Sequence, residues 1–276
     1  MYVVHVAIQG DLGSFHHQVA IGWFGEAVEI LSAETFDDVF GMLNRHETTK
    51  AIVAIENSLY GSINDVYDLI ESHRYPIVGE VYLRIEQQLI SLPGAKPEDI
   101  THIYSHPVAL AQCEHYLDTH FPEVERIEHH DTAASVEFIK KAGDKSMAAI
   151  AGHAAADLHN LPILAKNIED NKANYTRFLV LDANGAIPKD ANKASLVVQT
   201  DHRPGALAKV LTTFAEAGVN LTKLQSRPII GKVWQYRFYI DVETSGERLR
   251  SLIKTIQASG TSVTVLGEYK SAELSD

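Results

Sequence analysis

Short apolar runs alternate with longer helix-like stretches from residue 3 to residue 181, and the end of several runs meets a small polar residue. Runs at 3–8, 27–31, 51–55, 78–84, 102–104, 126–128 and 147–151 have the length of strands. This alternation builds βα units around a parallel or mixed sheet. Glu56-Asn57-Ser58 follows the third run, with Gly61-Ser62 shortly downstream. Ser105-His106-Pro107 follows the fifth, and Pro107 suits the first turn of a helix reaching about residue 119. Asp131-Thr132-Ala133 follows the sixth and reads as the N-cap of a helix to about residue 141. In open α/β sheets, ligands bind outside the carboxyl ends of strands, where helix N-termini leave N–H groups unpaired. The three corners therefore have two readings: ordinary helix caps, or a surface for a small anion with several oxygens.

The pattern breaks at residues 182–194, where Gly185, Pro188 and two asparagines interrupt any periodicity, so this segment reads as a linker. Beyond it the spacing predicts a strand at 194–200, a turn at 201–204 and a helix from Gly205. Leu207, Val210, Leu211 and Phe214 form the apolar stripe of that helix, and Gly218 stops it. Strands at 219–226 and 234–243, a helix at 246–258 and a strand at 261–268 complete a ferredoxin-like βαββαβ order. A module of that shape more often binds a ligand or partner than catalyses.

Charge and composition narrow the chemistry. The 276 residues hold 24 Lys+Arg and 36 Asp+Glu, a net charge of −12, so no nucleic-acid partner is expected and an anionic substrate would need a local cation. With 45% hydrophobic and 22% charged residues the composition is that of a globular chain rather than a disordered one. The one cysteine, Cys113, excludes an intramolecular disulfide framework and fits a reducing compartment. The start of the sequence lacks a basic n-region and no uncharged apolar run spans a bilayer, so a soluble cytoplasmic protein without membrane contact is expected. Among fourteen histidines, His16-His17, His129-His130 and His102/His106 have no metal-ligand spacing, so no metal is expected. Gly10-Asp11-Leu12-Gly13-Ser14-Phe15 lacks the phosphate-loop ending and reads as a tight turn with exposed amides. Asn174-Tyr175-Thr176-Arg177-Phe178 puts a hydroxyl beside an obligate cation, which is either an anion-handling site or an arginine at a strand edge.

Together these segments resemble prephenate dehydratase. The resemblance rests on Gly10-x-x-Gly13-Ser14-Phe15, Ile55-Glu56-Asn57-Ser58-x-x-Gly61-Ser62, Ser105-His106-Pro107-x-Ala109-Leu110-x-Gln112-Cys113, Asp131-Thr132-Ala133 and Asn174-x-Thr176-Arg177-Phe178. The last part is similar to the family's ACT regulatory module, with Gly205-Ala206-Leu207-Ala208 and with Gln225-Ser226-Arg227-Pro228 in place of Glu-Ser-Arg-Pro. His16 stands where Ser or Thr is usual, and Gln87 where a His is common.

The resemblance implies an α/β fold: a two-lobed, periplasmic-binding-protein-like catalytic domain followed by a ferredoxin-like ACT domain. It implies a catalytic domain at 1–183, with lobes at 1–77 plus 166–183 and at 78–165, a linker at 184–193 and the ACT domain at 194–271. The Thr176 segment would return to the first lobe and face the Ser105 corner. Some family members begin with a chorismate mutase domain; here the first dehydratase motif starts at Gly10, so a monofunctional chain is expected. The implied reaction is decarboxylative dehydration of prephenate to phenylpyruvate without cofactor or metal. Arogenate dehydration and a non-catalytic two-lobed amino-acid-binding protein are the alternatives. By resemblance, Thr176 assists protonation of the departing ring hydroxyl, Arg177 or a bound water shares the developing charge, and Arg177 anchors a carboxylate. Asn57, Ser58, Ser105, Gln112 and Thr132 position the substrate, with Ser105 and Thr132 at helix N-termini, while Phe178 packs beside them. L-phenylalanine as an allosteric effector would bind Gly205, Ala206, Leu207 and Ala208 against Asn220, Leu221, Gln225, Ser226 and Arg227 of a neighbouring subunit, in a homodimer or homotetramer.

Overall fold

The computed structural model describes residues 3–229 and 231–274. The first sheet begins as two right-sized βα units: β1 (His5–Gln9), α1 (Phe15–Phe24), β2 (Glu29–Ala33), α2 (Phe36–Asn44) and β3 (Lys50–Asn57). The short β4 (Gly61–Ser62), α3 (Asn64–His73) and β5 (Ile77–Arg84) follow. A second sheet takes β6 (Gln88–Ser91), β7 (His102–Ser105), β8 (Glu125–Glu128), β9 (Met147–Ala151) and β10 (Ile163–Ala165). Its helices are α4 (Pro107–Gln112), α5 (Glu114–His120), α6 (Thr132–Ala142) and α7 (His153–His159). The chain then enters β11 (Tyr175–Asp182) and goes on to β12 (Lys193–Gln199), α8 (Ala206–Glu216), β13 (Leu221–Pro228), β14 (Tyr236–Val242), α9 (Gly246–Gln257) and β15 (Ser262–Tyr269).

The first sheet has the order β2-β1-β3-β11-β5, with β1 parallel to both β2 and β3 and β4 hairpinned onto β3. Ala51–Ile55 of β3 are all buried, the uninterrupted apolar run of a strand covered on both faces. The second sheet runs β10-β6-β9-β7-β8, parallel through β9, β7 and β8 and antiparallel at β6 and β10. The third, β13-β14-β12-β15, is antiparallel throughout and packs Val198, Val210, Phe214, Ile240 and Leu249 into one core, the arrangement expected of βαββαβ.

Local chemistry explains most boundaries. Asp131 caps α6 through Oδ1, and Gly143 ends it in the left-handed region. Thr35 caps α2, a helix without a counterpart in the sequence reading, and Asp37 and Asp38 occupy its first turn. One expected helix is two. The stretch from Pro107 breaks at Cys113, because the Asp170 carboxylate accepts the His115 and Tyr116 N–H groups and so starts a second helix from a distant position. The first sheet extends to Arg84, with β5 as its edge strand.

The described residues divide into two compact units, 3–63 with 82–178 and 64–81 with 179–274, the division running through β5 and β11. In the first unit α1 buries His16, whose Nε2 accepts the Ala54 N–H at 3.1 Å. The rings of Phe36 and Phe178 meet that imidazole edge-on at 5.7 and 5.0 Å. In the second unit the Lys193 ammonium bonds both Glu80 carboxylate oxygens at 2.9 Å, and the two residues are 1% and 2% exposed. Glu80 Oε1 also accepts from Ser271 Oγ and Ala272 N, so the buried carboxylate is well supplied with donors. The same unit ties α3 to the third sheet: Arg227 to Asp68, and Arg237 and Tyr239 Oη to Glu71.

Two stability predictions follow from these buried groups. Lys193→Met strands the Glu80 charge and should cost about 3–5 kcal/mol in urea unfolding, while adding Glu80→Leu should recover most of it; equal loss in both variants would contradict this account. Burial holds the His16 pKa down to about 3. The unfolded imidazole takes its proton near pH 6.5, so the unfolded state binds more protons between those values and stability falls as pH drops through that interval. Between pH 7 and pH 4 the protein should lose about 3 kcal/mol relative to His16→Ser; parallel pH profiles would show that His16 is not the group responsible.

Candidate active site

The loop after β1 is built from its own polar groups. Ser14 caps α1 by accepting the His17 N–H, and the His17 ring accepts the Gly13 N–H at Nδ1, 2.9 Å away. Burial lowers the His17 pKa, in keeping with a ring that accepts there. Gly13 has φ +90°, and a Cβ on it would lie 2.9 Å from the Ala155 Cα of α7. The glycine motif therefore permits close approach of α1 and α7 rather than cradling a phosphate.

The end of β3 and the segment entering β11 form a hydrogen-bonded knot across more than a hundred residues. Asn57 Nδ2 donates to Asn174 Oδ1 at 2.8 Å, to Thr176 Oγ1 at 3.0 Å and, at 3.3 Å, to the Tyr175 carbonyl. Its Oδ1 accepts the N–H groups of Leu59 and Tyr60, both at 3.0 Å. Ser58 donates its hydroxyl to the Ala173 carbonyl and accepts the Tyr175 N–H. Direct substrate contact by Asn57, as the resemblance implies, is therefore corrected: both lone pairs and both amide protons are spent within the protein. Ser58 likewise clasps the return segment.

Thr176 is buried and accepts from Asn57, and its hydroxyl makes no other hydrogen bond among the described residues. Phe178 lies on the same face of β11, two residues on, and packs against His16. Arg177 is buried too, but strand alternation puts it on the opposite face from Thr176. Asn57, not Arg177, is thus the immediate polar neighbour of the Thr176 hydroxyl.

The remaining candidates belong to the second sheet, and none of them hydrogen-bonds to Thr176. Ser105 is fully buried and donates to the Ile150 carbonyl at 2.6 Å, whereas the cap of α4 is the His106 ring, which accepts the Val108 N–H. A helix-end role for Ser105 is therefore corrected: its proton is committed to the neighbouring strand. Thr132 does open α6, directly after its cap Asp131. Burial, with Asp11 nearby, raises the Asp131 pKa. Gln112 accepts from Gln87 Nε2 at 3.0 Å, and its own amide nitrogen has no hydrogen bond among the described residues. Gln87 N–H in turn binds the buried Glu169 carboxylate. Sequence reading gave no role to Asn174, Asp170 or Glu169. Of these only Asn174 left a signal, its i, i+2 spacing from Thr176 on a strand.

In the second unit Gly205 is the N-cap of α8 at φ +80°, and no side chain caps that helix, so Ala206, Leu207 and Ala208 form an uncapped first turn. Along β13 Gln225 Nε2 donates to the Ser226 carbonyl, and Arg227 holds Asp68. Asn220 donates to Glu243, and Leu221 packs against the core of the third sheet. Among the described residues no group of three His, Cys, Asp or Glu side chains is placed to hold a metal ion, and no helix is long and apolar enough to cross a membrane.

Comparison with known proteins agrees with this architecture. The sequence profile described as prephenate dehydratase matches residues 6–186, and that described as ACT domain matches residues 194–260. A bifunctional chorismate mutase/prephenate dehydratase from Neisseria gonorrhoeae is 33% identical over 98% of this chain and 75% of its own length. Arogenate dehydratase 4 of Arabidopsis thaliana is 36% identical over 96% of this chain and 67% of its own length. Among solved structures, prephenate dehydratase from Arthrobacter aurescens in complex with L-Phe has a TM-score of 0.87 at 29% identity, covering 97% of this chain and 90% of that one. GqqA, described as a novel type of quorum-quenching acylase, also has a TM-score of 0.87, at 30% identity over 97% of this chain and 98% of that one. With one profile spanning most of the chain and relatives aligned along nearly all of it, the chain belongs to the prephenate dehydratase family of hydro-lyases and carries an ACT domain after its catalytic part.

Proposed function

We propose that this chain converts prephenate to phenylpyruvate, with Thr176 assisting departure of the ring hydroxyl. The observation that carries the reading is the Thr176 hydroxyl itself: buried, accepting from Asn57, and with its proton uncommitted. The ring carboxylate leaves as carbon dioxide, the electrons of that C–C bond enter the ring, and the C–O bond to the para hydroxyl breaks. The ring becomes aromatic, so the enzyme need only orient the substrate and help the hydroxyl leave as water. A threonine is too weak an acid to surrender its proton early; its hydrogen bond strengthens as charge builds on the departing oxygen, with a water completing the transfer. Gln112 Nε2 and the Thr132 hydroxyl are donors suited to a substrate carboxylate, whereas Arg177 lies on the opposite face of β11 from Thr176. An acylase of the serine–histidine type would need a serine activated by a histidine. Ser105 donates its hydroxyl to the Ile150 carbonyl and Ser14 accepts the His17 N–H, and among the described residues neither hydroxyl pairs with a histidine ring, which disfavours that chemistry at these two serines.

Phenylalanine fits the ACT domain as a feedback effector. Its carboxylate would meet the uncapped first turn at Gly205–Ala208, and β13 of a neighbouring subunit, from Asn220 to Arg227, would close the site. Such sharing makes a dimer or tetramer the functional form and lets the ligand shift the equilibrium between arrangements. Gln225, neutral where the family usually carries an acid, would accept from the ammonium without an ion pair.

Thr176→Ala should lower kcat with prephenate by about 10², the scale for removing one transition-state donor, and assays with prephenate and arogenate side by side decide the substrate; near wild-type turnover in that variant would remove Thr176 from the mechanism. Gly205→Val, strained at φ +80°, should abolish phenylalanine inhibition while sparing uninhibited kcat. Gln225→Glu should tighten inhibition by about 5- to 30-fold. Calorimetry that shows no binding of millimolar phenylalanine would end the regulatory reading.

A further inference from the structure

Asn174 differs from its neighbours in being 0% exposed while its amide nitrogen has no hydrogen-bond partner among the described residues. A leucine of similar size would remove that unpartnered donor and its desolvation cost, so stability alone does not account for an asparagine here. What a leucine could not supply is Oδ1, which accepts from Asn57 Nδ2 at 2.8 Å.

The orientation of Asn57 is fixed from both ends. Backbone N–H groups can only donate, so those of Leu59 and Tyr60 require Oδ1 on their side and turn Nδ2 toward residues 174–176. One amide proton then serves Asn174 and the other Thr176, with the Tyr175 carbonyl a longer competitor. Thr176 Oγ1 carries one proton and accepts through its lone pairs. A donor held on one lone pair turns that proton away from Asn57 and makes the hydroxyl a stronger donor. Without Asn174 Oδ1 the amide would be free to swing toward the carbonyl, and the Thr176 proton would lose its direction.

We infer that Asn174 is a positioning residue for the dehydration: it touches no substrate, and through Asn57 it aims the Thr176 hydroxyl proton at the departing oxygen. The inference rests on the role given to Thr176 above. Steady-state kinetics with prephenate on Asn174→Ala, Asn174→Asp, Thr176→Ala and the Asn174→Ala/Thr176→Ala double variant test it. Asn174→Ala should lower kcat by about tenfold, the loss of one hydrogen bond's worth of barrier lowering, with KM changed less than about twofold. Asn174→Asp keeps the accepting oxygen and should recover most of that loss. In the Thr176→Ala background, Asn174→Ala should cost less than about a further twofold. The inference is overturned by an unchanged kcat, by an effect confined to KM, or by a full tenfold loss persisting without Thr176. If Thr176→Ala itself turns over normally, the reading of Thr176 falls and this one with it; a collapsed Thr176→Ala with additive losses overturns the positioning role alone. Should the alanine variant fail to fold, Asn174→Leu takes its place in the same cycle.

Discussion

One side-chain amide, that of Asn57, joins segments 117 and 119 residues apart at the candidate active site. Four of its bonds are short, and each partner constrains a different piece: the Leu59–Tyr60 turn on one side, and Asn174 and Thr176 on the other. Around it Ser58 exchanges bonds with Ala173 and Tyr175, and the Ile85 N–H binds the Asn174 carbonyl. The chain leaves the first sheet at β5, builds the second, and returns at β11 into this net. The Thr176 hydroxyl on that strand is placed by this net, which no local preference of the Thr176 segment could supply.

Polar residues at the strand ends serve the backbone first. Ser14 and Asp131 cap helices, Asp170 starts α5, and Ser105 crosses to a neighbouring strand. Each buried donor or acceptor left unmatched costs about 1–3 kcal/mol, so a fold with many such residues settles those demands before any ligand arrives. The two readings of these corners thus separate. Caps and cross-strand bonds account for the polar groups of Ser14, Asp131, Asp170 and Ser105, while the proposed chemistry draws on the Thr176 hydroxyl and the Gln112 amide. That pair suits a reaction driven by aromatisation, which asks the protein for orientation and one well-directed donor.

The second unit has its own logic. It gathers α3 with the linker and the ACT sheet, held by the buried Lys193–Glu80 pair and by Asp68 and Glu71 on the helix facing Arg227, Arg237 and Tyr239 on the strands. Burial and the adjacent Glu71 push the Tyr239 phenol up, so it remains a donor to that carboxylate. β13 and α3 therefore share an ion pair, Arg227 with Asp68.

Period and punctuation in the sequence determined the alternating βα pattern, the break near residues 182–194, the βαββαβ order, the cap at Asp131 and the helix start at Pro107, since each depends on neighbours a few residues away. The motifs also put Asn57 and Thr176 on the page as candidates. Their roles relative to each other were not legible. That Asn57 spends its whole amide on the protein, that Ser105 is buried beneath the surface, that a helix breaks at Cys113 because Asp170 reaches it, and that His16 is a neutral core residue were decided by contacts across tens to more than a hundred positions. Local pattern cannot encode such contacts: a side chain's hydrogen bonds and protonation depend on what burial removes from water and what the returning chain places beside it.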